Sequence, residues 1–130
     1  MTPDLTYLAW TALLTAALWI PYISGQVMIN GLLTPQNYRD PAAREVPLWG
    51  QRANRAHINA VEAFAPFAAL VLVAHVGGVS NEATAMWAAL FFWARLAHAV
   101  IYILGIPFLR TIIFTVGFVA VVGIFYEIVM

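Results

Sequence analysis

The 130-residue sequence contains no cysteine and no lysine, and only 9% of its residues are charged. The absence of cysteine excludes disulfide bonds, thiolate metal sites and a cysteine nucleophile. With no lysine and a formal net charge of zero, nothing in the composition indicates nucleic-acid binding. Soluble domains usually carry roughly 25% charged residues. A composition this poor in charge is therefore not typical of a water-soluble protein.

The sequence is mostly apolar, since 63% of its residues are hydrophobic and its mean hydropathy is +0.84. No charged residue occurs from Leu5 to Tyr38. A bilayer core needs about 20 apolar residues, so Leu5 to Leu33 is long enough for one span. A cleaved signal peptide is a poorer interpretation, because the start is acidic and the apolar run exceeds ~15 residues. The chain is therefore expected to be one integral membrane domain over residues 1–130.

Turn signals divide the rest of the chain into three more apolar helices. The segment Thr34–Pro47 is rich in helix breakers and predicts the longest loop. The expected helices run from Leu5 with a kink at Pro21, from Pro47 to Gly77 with a bend at Pro66, from Glu82 (capped by Ser80 or Asn81) to Leu104, and from Pro107 to Met130. The sequence therefore predicts an all-α, four-transmembrane-helix bundle.

Charge is distributed unevenly between the two predicted ends of the bundle. One end carries the arginines of the first and third turns, namely Arg39, Arg44, Arg52, Arg55 and Arg110. The other end carries Asp4, Glu82 and Glu127 and no arginine. Because positive charge favours the cytoplasmic side, the arginine end is expected to face the cytoplasm, with both termini outside.

Two polar stripes interrupt the apolar helices. Taken as a helix, the second segment places four polar residues within roughly 80° of one another: Arg52, Arg55, Asn59 and Glu62. The third places Arg95, His98 and Tyr102 on one face. Because these helices are antiparallel, a buried Glu62–Arg95 pair is expected, and it could serve packing alone.

The stripes carry more positive charge than their single glutamate neutralises. An anionic ligand would satisfy the excess, because guanidinium groups suit carboxylates. A lipid head group would satisfy it equally well, so that alternative stays open. The three histidines are not at a spacing typical of metal ligands, so no metal site is predicted.

Four motifs resemble those of the MAPEG family, the membrane-associated proteins in eicosanoid and glutathione metabolism. They are Arg55-Ala-His-Ile-Asn59-Ala-Val-Glu62 followed by Pro66, Gly25-Gln26-Val27, Arg95-Leu-Ala-His98-Ala-Val-Ile-Tyr102, and Arg110-Thr111. The resemblance covers nearly the whole chain. It implies a homotrimer of four-helix subunits that bind glutathione between neighbours near the cytoplasmic face and use it on hydrophobic electrophiles or lipid peroxides.

The same resemblance implies roles for individual residues. Glutathione would be held by Arg55, Asn59, Glu62, Arg95 and Tyr102, with Arg52, His98 and Gln26 as further cofactor-binding residues. Arg110 and Thr111 would be catalytic, and Arg110 would stabilise the thiolate. The chain departs from glutathione-using members at Ile58, where those members often have arginine, and at Met28, where some have a basic residue. It also departs from the prostaglandin-synthase type, which has serine and tyrosine where Thr111 and Phe114 stand.

Two classes of function therefore stay open from the sequence. The first is a membrane-bound glutathione transferase or peroxidase that uses an arginine-activated thiolate on an apolar small molecule. The second is a non-catalytic membrane protein of the same fold that binds lipid or an anionic metabolite. A transporter is poorly supported, because the four helices show no inverted repeat.

Overall fold

The computed structural model describes residues 1–31, 39 and 46–130, and the regular elements within them are all helices. Most of the predicted loop Thr34–Pro47, including Arg44 and Glu45, lies outside the described residues. The helices are α1 (Pro3–Ala17), α2 (Trp19–Asn30), α3 (Leu48–Val76), α4 (Glu82–Leu104) and α5 (Leu109–Val129). The segment Pro3–Ile29 and helices α3, α4 and α5 are each long and apolar enough to cross a membrane. The predicted all-α bundle with four spans is confirmed.

The first span is interrupted at Leu18, earlier than the predicted kink at Pro21. Proline has no backbone N–H and its ring crowds the carbonyl four residues before it, which here belongs to Ala17. Pro21 sits in the first turn of α2, where the missing donor costs nothing. The structure therefore has a break one turn upstream of Pro21 where the sequence predicted a kink at the proline itself.

Helix α4 has the bounds that its sequence predicts, because both of its ends carry strong local signals. The Asn81 side chain accepts a hydrogen bond from the Thr84 N–H at 2.9 Å. The Thr84 hydroxyl accepts one from the Asn81 N–H at 2.8 Å, which completes a capping box. At the other end Gly105 adopts a φ of 75°, a conformation that favours glycine.

The two ends of the bundle differ in charge as the sequence predicts. At one end the Asp4 carboxylate accepts from the Thr84 hydroxyl at 3.4 Å, and the Asn81 amide donates to Glu127 at 3.5 Å. These contacts gather the starts of α1 and α4 and the end of α5. The arginines of α3 and α5 lie at the opposite end, where α4 finishes.

The core forms between α3, α4 and α5. Its buried residues are Phe67, Val71, Ala88, Phe91, Ala120 and Ile124. The Phe67 and Phe91 rings stack with centroids 4.0 Å apart. Helices α4 and α5 approach closely at Gly123, where an added Cβ would overlap the Trp87 ring. This packing holds α4 and α5 side by side and antiparallel, so the start of α5 lies beside the end of α4.

Candidate functional site

Three cavities meet at Asn59, on the predicted polar stripe of α3. Asn59 lines all three of them. The side chains around them come from α3, α4 and α5, and include Arg55, Glu62, Arg95, His98, Tyr102, Arg110 and Thr111. Most of the site residues predicted from the two stripes therefore lie together around these three cavities.

The first, here called the polar cavity, has a volume of about 360 Å³. It is lined by Asn54, Arg55, Ile58, Asn59, Glu62 and Tyr102. Arg55 and Glu62 are both exposed in the subunit, and neither makes an ion pair with another described residue. Within the described residues, the cavity thus presents to a ligand a guanidinium and a carboxylate that have no ion-pair partner.

The second, the arginine cavity, has a volume of about 260 Å³ and lies where α4 meets α5. It is lined by Asn59, His98, Tyr102, Arg110, Thr111 and Phe114. The Arg110 guanidinium carbon lies 4.5 Å from the centre of the Tyr102 ring, within the range of a cation–π contact. Arg110 also stands near the start of α5, where the helix dipole favours an anion.

The third, the apolar cavity, has a volume of about 290 Å³. Its polar members are Asn59, Glu62 and Arg95, and its apolar lining consists of Ala63, Pro66, Phe91, Phe114, Gly117, Phe118 and Val121. Asn59 and Glu62 are shared with the polar cavity, so apolar and charged surfaces adjoin.

The expected Glu62–Arg95 pair does not form in the subunit. Arg95 instead donates to the Asn59 side-chain oxygen at 2.9 Å, while Glu62 is exposed. The cause is register, since Asn59 lies one turn before Glu62 on the same face of α3. Both Glu62 and Arg95 nevertheless line the apolar cavity.

Two buried side chains at the site keep polar atoms without a partner. Arg95 is 4% exposed and His98 2% exposed. The Arg95 Nε and the His98 Nδ1 make no hydrogen bond within the part of the chain that the structure describes. Buried polar groups are hydrogen-bonded in the great majority of cases, so these two atoms favour a polar ligand.

Arg52 and Gln26 are not among the residues that line the three cavities. Arg52 donates from Nε to the Ile103 carbonyl at 2.9 Å, one of the carbonyls that α4 leaves without a helical partner. Its guanidinium lies against Gly105, where an added Cβ would stand 3.0 Å from it. Gln26 is buried and donates to the Tyr22 hydroxyl at 2.6 Å. Within one subunit, Arg52 thus supports the end of α4.

The apolar lining was not predicted from the sequence. Phe91, Phe118 and Val121 lie inside long apolar runs, where no spacing separates a cavity wall from a core or lipid-facing residue. Pro66 was noted in the sequence only as the residue that follows the Arg55–Glu62 motif and as a predicted bend in the helix. No group of three His, Cys, Asp or Glu residues is placed to hold a metal within residues 1–31, 39 and 46–130.

Comparison with known families identifies one match. The model of the MAPEG family matches residues 6–130, which is nearly the whole chain and includes every helix around the three cavities. Comparisons with curated proteins and with solved structures gave no significant match.

Proposed function

The chain belongs to the MAPEG family, and from that premise we propose that it is a membrane-bound glutathione transferase or peroxidase. Its substrates would be hydrophobic electrophiles or lipid peroxides that reach the site from the bilayer. The active form would be a homotrimer, with the site toward the cytoplasmic side of the membrane. Arg110 would hold the sulfur of glutathione as a thiolate.

The observation that carries this proposal is the meeting of the three cavities at Asn59. They combine the guanidinium groups of Arg55, Arg95 and Arg110 with the single carboxylate of Glu62. Glutathione has two carboxylates and one ammonium, so its charges complement those of the site. The unpartnered Arg95 Nε and His98 Nδ1 would gain partners from such a ligand.

The polar cavity suits the zwitterionic end of the tripeptide. Arg55 would bind a carboxylate with its planar fork of N–H donors, and Glu62 would bind the ammonium. Asn59 is fixed by its bond to Arg95 and lies between the cavities. We therefore place the tripeptide backbone along α3, with its sulfur toward the arginine cavity.

Arg110 would supply the chemistry at the sulfur. A guanidinium beside a thiol favours the anionic form, which lowers the thiol pKa and raises the nucleophilic fraction at neutral pH. With a halogenated electrophile, the carbon–sulfur bond would form as the halide leaves with its electron pair, and the thiol proton would pass to water. With a hydroperoxide, two thiols would become one disulfide while the peroxide becomes an alcohol and water.

The apolar cavity suits the second substrate. It adjoins the polar groups at Asn59 and is otherwise walled by aromatic and aliphatic side chains. Phe118, one of them, is 60% exposed in the subunit. A hydrophobic molecule would therefore enter the apolar cavity from the bilayer, between α3 and α5. From there it would pass Phe114, which lines both the apolar cavity and the arginine cavity, to reach the arginine cavity.

The exposure of Glu62 supports assembly into an oligomer. Glu62 is exposed in the isolated subunit, although it lies roughly 21 Å along a membrane-spanning helix. A carboxylate facing hydrocarbon is costly, so a neighbouring subunit or a ligand should cover it. The trimer implied by the family would provide such a cover.

Two measurements test the proposed function. Calorimetric titration of the purified protein with glutathione, and with other low-molecular-weight thiols, should show saturable binding of at least glutathione. Arg110→Ala should leave that affinity nearly intact while slowing conjugation of a chromogenic electrophile by about tenfold or more. A variant that conjugates as fast as the parent would show that Arg110 does not activate the thiol.

The non-catalytic alternative rests on the exposure of Arg110. An exposed arginine at the start of a membrane helix could bind lipid phosphate. In that case titration with thiols would give no heat of binding, while anionic lipid vesicles would bind the protein more strongly than neutral ones. That pair of results would favour a non-catalytic lipid-binding protein over an enzyme.

A further inference from the structure

The Arg110 side chain lies over the face of an aromatic ring, that of Tyr102. We propose that Tyr102 is a positioning residue, which holds the Arg110 guanidinium over its ring face and so aims it into the arginine cavity. The functional consequence rests on the function proposed above, whereas the stacking itself does not. In this role the ring of Tyr102 matters more than its hydroxyl.

The geometry of the stack supports this role. The Arg110 guanidinium carbon lies 4.5 Å from the centre of the Tyr102 ring. On α4 the ring also contacts His98, with centroids 5.5 Å apart and planes at 65°. His98 is buried, with 2% of its surface exposed, and such side chains are closely packed. Tyr102 is therefore held by a closely packed neighbour on its own helix while it contacts a cation on the next one.

No carboxylate of the described residues competes for Arg110. Among the described residues Arg110 has no ion-pair partner, and its guanidinium lies against the Tyr102 ring. An arginine held by a carboxylate would lose part of its attraction for an anionic sulfur. An aromatic ring face attracts the cation without neutralising its charge, so the stack orients the guanidinium and leaves its charge available.

The backbone just before Arg110 is constrained as well. Phe108 has φ 65° and ψ −42°, and the Leu109 N–H donates to the Pro107 carbonyl at 2.7 Å. This is a γ-turn of the rare, strained form. The Phe108 side chain is 82% exposed, so its own burial does not account for the turn. Backbone strain of this kind concentrates at functional sites, and here it sets the direction in which α5 leaves.

Two substitutions of Tyr102 separate the ring from the hydroxyl. Tyr102→Phe keeps the ring face and removes the hydroxyl, whereas Tyr102→Leu removes the ring and keeps an apolar side chain. If the ring positions Arg110, the guanidinium keeps its place in the phenylalanine variant and loses it in the leucine variant. If only the hydroxyl matters, both variants lose affinity for glutathione and neither displaces the guanidinium.

The first test needs no ligand. The Nε–H signal of Arg110 is recorded by ¹⁵N–¹H NMR in micelles and assigned by its disappearance in Arg110→Lys. We expect an upfield ring-current shift in the parent and in Tyr102→Phe, and its loss in Tyr102→Leu. An unshifted signal in the parent, or the same shift in all three proteins, overturns the inference. Retained cooperative unfolding of the leucine variant shows that the comparison concerns folded protein.

The second test measures the consequence for the thiol. The rate of conjugation is followed against pH with saturating electrophile. Tyr102→Leu should slow turnover at neutral pH by about fivefold and move the midpoint of the profile to higher pH, with a smaller change in KM for glutathione. Tyr102→Phe keeps the ring face, so the midpoint of its pH profile should stay at the parent's value, whatever the loss of the hydroxyl does to the KM for glutathione. A midpoint that moves equally in both variants overturns the ring's role.

The two tests distinguish a failure of the proposed function from a failure of the positioning role of Tyr102. If the parent binds no thiol and conjugates nothing, the proposed function falls. The NMR comparison then decides the positioning of Arg110 by itself. If the parent conjugates but Tyr102→Leu matches it in rate and pH midpoint, the enzyme stands and the positioning role of Tyr102 falls.

Discussion

Arg52 and Arg55 lie less than one turn apart on α3, yet the structure gives them different tasks. Arg52 donates to the Ile103 carbonyl at the end of α4, while Arg55 is exposed and lines the polar cavity. We therefore expect Arg52→Ala to impair folding stability and Arg55→Ala to impair ligand binding. Each variant is the matched control for the other, because both remove one guanidinium from the same stretch of helix.

The magnitudes follow from the contacts. Hydrogen bonds to charged groups contribute about 1.5–3 kcal/mol, and the half-buried Arg52 should lie near the lower end, because water can replace it at the Ile103 carbonyl. Arg52→Ala should thus lower the free energy of unfolding by about 1–2 kcal/mol. Arg55→Ala removes no hydrogen bond or ion pair to another described residue, so its stability should change by less than about 0.5 kcal/mol. Its affinity for glutathione should fall by about tenfold, which corresponds to ~1.4 kcal/mol.

Unfolding by SDS in mixed micelles and calorimetric titration with glutathione would measure the two effects on the same preparations. A result in which Arg52→Ala unfolds like the parent but loses as much affinity as Arg55→Ala would refute the reasoning. Arg52 would then be a ligand residue, as the family resemblance implied, and its bond to Ile103 would be incidental.

Three other predictions concern packing, topology and assembly. Gly123→Ala should be less stable than Gly117→Ala by about 1–3 kcal/mol in the same unfolding assay. Both variants gain helix propensity, but the added Cβ would overlap Trp87 only at position 123, since the Cβ at position 117 has no neighbour closer than 3.8 Å. Equal stabilities would contradict this prediction. Reporter fusions at Met130 and within Thr34–Pro47 should give opposite sidedness, and equal sidedness would contradict four spans. The mass in mild detergents should be three times the 14.3 kDa subunit, and a monomeric mass in several detergents would count against a trimer.

The elements that the sequence predicts best are those with local signals. Asn81 and Gly105 mark the two ends of α4 through side-chain capping and positive φ, and neither signal depends on tertiary contacts. The first span was harder. Pro21 indicates that a helix is disturbed, but whether the break falls at the proline or a turn before it depends on how the chain relaxes around the carbonyl of Ala17.

The sequence predicted which helix faces form the site, but not which side chains on those faces would be hydrogen-bonded to each other. Helical periodicity places Arg55, Asn59 and Glu62 on one stripe, and an antiparallel neighbour brings Arg95 to similar depth. Such a depth argument resolves positions to about one turn, or ~5.4 Å. Asn59 and Glu62 differ by less than that, so periodicity could not decide which of them Arg95 would contact. Arg52 shares the stripe but sits at the start of α3, where the end of α4 lies within its reach.

The free charges of the polar cavity also distinguish between the two classes of function. Arg55 and Glu62 stand on either side of Asn59 with opposite charge, and neither has an ion-pair partner among the described residues. A lipid phosphate would satisfy Arg55 and leave Glu62 unpaired at depth in the membrane, which is costly. A ligand with both an ammonium and a carboxylate satisfies both residues. Glu62→Gln should therefore weaken binding of glutathione and leave binding to anionic vesicles unchanged. Stronger vesicle binding with unaltered thiol affinity would mean that Glu62 repels phosphate rather than binding an ammonium, and would favour the lipid-binding protein.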